Sequence, residues 1–110
     1  MNNFERITIV VTAWNNGQQN PNGTGYGIRV GKPNRHLFNE LVNFNLSIEG
    51  GEYFNVNITN GFWNQCPEFR STEIGIWFRN NNLAPWTHGN PPSFYLTKLN
   101  ENHFRLDREI

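Results

Sequence analysis

The chain has 110 residues, nine Lys+Arg against nine Asp+Glu, and a formal net charge of zero. That length suits one compact domain over residues 1–110, and the charge balance excludes a non-specific duplex-DNA binder, which needs a basic footprint. No run of 18 apolar residues occurs, the first residues carry no charged-then-apolar leader, and one cysteine excludes an internal disulfide framework, so a cytoplasmic protein without a membrane span is expected.

Residues 5–14 read as a strand, β-branched and with Ile7, Ile9 and Val11 on one face. Residues 15–25 hold three glycines and no apolar side chain, which predicts a long flexible loop able to close over a ligand. Residues 26–30 predict a short second strand, broken by Gly31-Lys-Pro-Asn34. Residues 35–42 fit either a helical turn or the entry to a strand. Phe44, Leu46 and Ile48, then Phe54, Val56 and Ile58, alternate with polar residues around Gly50-Gly51, the pattern of a β-hairpin. Its polar face (Asn45, Ser47, Glu49, Asn55, Asn57, Thr59) suits a polar binding floor or a contact between copies of the chain.

After Phe62-Trp-Asn-Gln-Cys-Pro67 comes the one expected helix. Ser71 or Thr72 caps it, Glu73 sits in its first turn, and Ile74, Trp77 and Phe78 form its apolar stripe. Asn80-Asn-Asn82 and Pro85 stop it; Pro67 is an alternative start. Residues 83–92 form a proline-rich connection, residues 94–99 and 103–106 a last hairpin, and 107–110 a short tail. The expectation is an α+β fold: a small antiparallel sheet or partly closed β-barrel of five or six strands with one helix packed on it.

The chemistry is read from what is over-used. Aromatic residues reach 15% while charged residues are 16%, against about 25% charged in ordinary domains. Asn occupies twenty positions, and seven Arg stand against two Lys. Arginine offers a planar fork to phosphate and stacks on aromatic rings, which lysine does not. His36, His88 and His103 lack metal-ligand spacing, and no catalytic constellation stands out, so no metal, cofactor or catalytic residue is expected. Cys66 becomes a nucleophile only with a neighbouring His, or if a helix begins at Pro67 and lowers its thiol pKa. Gly23-x-Gly25-x-Gly27 leads into a strand, so it is not a dinucleotide fingerprint.

Aromatics in Pro/Gly-rich segments with Arg nearby suit a planar anionic ligand. The candidate binding residues are Tyr26, Arg29, Arg35, Trp63, Arg70, Arg79, Trp86 and His88. Trp77, on the helical stripe, is assigned to the core. The expected function is non-enzymatic binding of a nucleotide or nucleotide-derived signal, in a homo-oligomer of bacterial or phage type. A protein-interaction module that inhibits a nucleic-acid enzyme is one alternative. A single-stranded nucleic-acid binder with a groove of Arg29, Arg35 and Arg105 is another, less favoured by the zero net charge.

Overall fold

A computed structural model describes residues 6–109. The strands are β1 (Ile7–Asn15), β2 (Tyr26–Arg29), β3 (Asn43–Ile48), β4 (Phe54–Asn57), β5 (Glu68–Arg70), β6 (Ser93–Asn100) and β7 (His103–Asp107). The helices are α1 (Asn60–Asn64) and α2 (Thr72–Asn80), with a 3-10 helix over Lys32–Phe38 between β2 and β3. The strands make one sheet in the order β4-β3-β7-β6-β1-β2-β5, which curls until β4 and β5 meet and nearly closes a barrel.

An α+β domain with a rolled sheet is therefore correct, and its detail differs from expectation. Among the described residues there are seven strands, because three-residue β5 is too short to show a period in sequence, and five-residue α1 adds a second helix to the one expected. The sheet is mixed: β3 runs parallel to β7, a pairing between segments more than fifty residues apart that no local pattern announces. Ser71 caps α2 by accepting a hydrogen bond from the Glu73 backbone N–H (3.2 Å), and Asn82 takes a left-handed φ of 57° just beyond its end. Residues 35–42 resolve as the end of the 3-10 helix and a short turn, with Pro33 in the first turn of that helix.

Aromatic rings fill the interior. Phe38, delivered by the 3-10 helix, stacks on Phe104 (centroids 4.4 Å apart). It meets Phe44 and Phe62 edge-on at 5.3 and 5.0 Å. A second group lies under α2. Phe78 stacks on Phe94 at 5.4 Å and meets Tyr26 edge-on at 5.6 Å. Trp77 is half-buried and packs on Phe78 and Phe94.

Helix α2 approaches the 15–25 loop so closely that a Cβ on Gly75 would lie 1.9 Å from the Gly23 carbonyl oxygen. The neighbour is backbone and cannot rotate away. Gly75→Ala is expected to cost about 3 kcal/mol, at the upper end of overpacking effects, read as a lowered urea midpoint. An unchanged midpoint would show that α2 does not sit this close.

At the far end of β3, Arg108 forks onto Glu49 (2.8 and 3.1 Å), and the Trp77 ring N–H donates to the same carboxylate at 3.3 Å. The Arg108 hydrogen bond, helped by that of Trp77, holds the Glu49 carboxyl below its ordinary value of 4.5 against the opposing effect of burial. A lowered folded-state pKa makes this pair stabilising above about pH 4.5, and its contribution is lost as pH falls through the lowered value. Glu49→Gln should thus destabilise the protein at neutral pH and match the parent in strong acid. A pH-independent difference in denaturation midpoints would refute this account.

Candidate functional site

The polar face of β1 carries Thr12 and Trp14, opposite in direction to the buried Val11 and Ala13. Strand register places Trp14 across from Gly27, and Gly27 across from Arg70. The centre of this three-strand row must be glycine, since a Cβ on Gly27 would lie 2.1 Å from the Phe69 carbonyl oxygen. Arg70 lies over the row with its guanidinium 4.5 Å from the centroid of the Trp14 ring. The adjacent row is Thr12, Arg29 and Glu68. Arg29 is exposed and has no hydrogen-bond or ion-pair partner among the described residues. Glu68 leans toward Arg70 instead (3.9 Å), and its Oε2 is buried without a donor.

A second wall comes from the connection between α2 and β6. The Trp86 ring is held from behind by Tyr26 and Phe78, at 5.7 and 5.9 Å. Its backbone is clamped by Gln19: the Gln19 Nε2 donates to the Trp86 carbonyl (3.0 Å), and the Trp86 N–H donates to Gln19 Oε1 (2.9 Å). Arg79, on α2, donates to the Tyr26 hydroxyl (3.1 Å) and to the Gln19 carbonyl. Loop 15–25 is further tied by Asn16 N–H to Gly25 O (2.9 Å) and by Asn20 to Thr24 (3.1 Å). It is thus anchored across the mouth of the sheet instead of hanging as a free lid.

Between these walls lies a cleft of about 560 Å³ lined chiefly by Trp14, Asn15, Gln19, Arg29, Trp86 and His88, within the usual size of small-ligand sites. Among the described residues, no Asp or Glu lines it. The arrangement joins two indoles to an unpartnered guanidinium and an exposed imidazole.

Of the sequence candidates, Arg29, Trp86 and His88 line this cleft together. Tyr26 and Arg79 stand behind Trp86, and Arg70 lies against Trp14 outside the lining. Arg35 and Trp63 lie elsewhere. Arg35 donates to the Phe62 and Gln65 carbonyls (3.0 and 2.8 Å), closing the end of α1. Trp63 packs on Phe62 and borders a shallow groove with Leu41 and Val42. Arg29, Arg35 and Arg105 do not form one groove: β6 and β1 separate Arg105 from Arg29, and Arg105 forks onto Asp107 at 2.9–3.0 Å. Cys66 is exposed and precedes β5, not a helix, because α2 begins at Thr72. On the polar hairpin face Ser47 is buried, and the Asn55 amide bonds Asn43, Asn45 and the Phe44 carbonyl.

Sequence reasoning missed Trp14 and Gln19. A signal for Trp14 was present: it ends a strand on the polar face, beside a polar loop, where an indole has no core to enter. Gln19 had none, because its partner is sixty-seven residues away. Comparison with protein-family models, with curated proteins and with solved structures finds no match to this chain.

The Gln19 clamp generates a prediction. Gln19→Ala removes both hydrogen bonds to the Trp86 backbone, an expected loss of about 1–2 kcal/mol. Amide hydrogen exchange at Trp86 should accelerate while that of the β1–β6 ladder stays slow. Retained protection at Trp86 would show that the ring packing alone fixes this wall.

Proposed function

We propose that this protein binds a small anionic planar ligand, a nucleotide or nucleotide-derived signal, in the cleft between Trp14 and Trp86, acting as a sensor or sequestering domain. The observation that carries this reading is the convergence of two indoles with the unpartnered Arg29 and with His88 in one cleft that no carboxylate among the described residues lines. A nucleobase stacks on an indole with about 1–3 kcal/mol per base. The Arg29 fork matches two oxygens of a phosphate, and His88 supplies a second donor. Asn15 uses its side-chain oxygen on the Gly17 N–H (2.8 Å), which leaves its NH2 group to read a base edge. The walls are held by internal hydrogen bonds and ring contacts, so little ordering is left for the ligand to impose.

A thermal-shift panel of mono-, di- and cyclic nucleotides tests the reading. A ligand at about 100 times its dissociation constant stabilises the folded state by about 2.7 kcal/mol, a rise of several degrees for a domain of this size. Arg29→Ala and Trp14→Ala should each weaken binding by about tenfold or more. Arg105→Ala, on β7 and paired with Asp107, should leave it unchanged. No shift with any nucleotide, or equal shifts in the Arg29→Ala protein, overturns the reading and turns attention to a protein partner.

A further inference from the structure

Resting on that nucleotide-binding reading, we propose that the cleft accepts a single phosphate group as a metal-free mono- or diester and discriminates against magnesium-chelated polyphosphates. The first ground is the donor set. Magnesium at nucleotide sites is held by one or two protein carboxylates together with phosphate oxygens and water. Among the described residues, no carboxylate lines the cleft. The acid paired in register with Arg29 is Glu68, which is outside the lining and leans toward Arg70. Among the described residues, no three His, Cys, Asp or Glu side chains gather as metal ligands. A chelated dication arriving beside Arg29 would meet a like charge, and the carboxylate in register with it, Glu68, lies outside the lining and leans toward Arg70.

The second ground is the count of available donors. Among the described residues, Arg29 and His88 are the guanidinium and the imidazole that face the cleft with nothing else to bond. Arg79 is committed to the Tyr26 hydroxyl and the Gln19 carbonyl. Arg70 lies against Trp14 and outside the lining. One guanidinium fork and one imidazole N–H match the oxygens of one phosphate group. A metal-free triphosphate would carry two further anionic groups into the cleft with no free cation to meet them, and the magnesium that normally neutralises them has no site.

Titration calorimetry tests this with nucleoside monophosphates and triphosphates of the same bases, each in EDTA and in excess magnesium. The expected result is monophosphate affinity that is the same in both buffers, with the magnesium triphosphate at least about tenfold weaker. A triphosphate that binds more tightly in magnesium than in EDTA overturns the proposal while leaving the nucleotide reading intact. Absence of binding by every nucleotide in both buffers overturns the reading and the proposal together. Asn15→Asp provides a second test, because aspartate keeps the acceptor for the Gly17 N–H and so the local turn. It places one carboxylate on the cleft wall. Monophosphate binding should weaken in EDTA and recover on adding magnesium. Equal affinity of the variant and the parent in EDTA counts against the proposal.

Discussion

Arg79 is the joint on which the cleft depends. Its guanidinium reaches from α2 to the Tyr26 hydroxyl on β2 and to the Gln19 carbonyl in the loop that follows β1. Gln19 in turn holds both backbone polar groups of Trp86. One half-buried side chain thus connects a helix, a strand and two loops. The donors of arginine are fixed in a plane, so it can satisfy an oxygen on each side without moving. A lysine at this position would supply a point charge without that geometry.

The cleft sits where the barrel's interior ends. Strands β1, β2 and β5 present buried Ala13, Ile28 and Phe69 to the core, while Trp14, Arg29 and Arg70 alternate to the other face. The aromatic core under α2 continues outward through Tyr26 to Trp86, so one edge of the candidate site is an extension of the hydrophobic packing. Ring-on-ring contacts carry specific edge-to-face geometry, and this makes the wall rigid. The opposite edge depends on Gly27, whose missing Cβ allows β2 and β5 to approach and lets Arg70 reach across to Trp14. The two walls therefore have different physical origins: packing on one side, backbone proximity on the other.

Charge is distributed unevenly although its sum is zero. Among the described residues no acid lines the cleft, whereas Glu49, Glu52 and Glu73 border a separate groove beside α2. Net charge says little about a domain whose cations and anions sit on different faces. The abundance of arginine is also divided between roles. Arg35 and Arg79 serve backbone carbonyls, Arg105 and Arg108 serve carboxylates, and Arg29 is left for the cleft. Two residues of the same type are separated in function only by what their strand or helix brings near them.

Much of this was legible in the chain. Alternation marked the buried faces of β1, β3 and β4, because period two is a local property. The Ser71 cap, the Ile74 and Phe78 stripe and the asparagine stop placed α2, because capping and amphipathicity act within a turn or two. Arg29, Trp86 and His88 were legible as candidates from residue type alone. What needed tertiary structure were relations between distant segments: the parallel pairing of β3 with β7, the existence of three-residue β5, the partner of Gln19, and the separation of Arg35 and Trp63 from the cleft. A hydrogen bond across sixty-seven residues leaves no periodic trace, and a three-residue strand exists only because a neighbour is there to pair with it. The local code determined the elements and the inventory of chemistry; the closing of the sheet decided which members of that inventory meet.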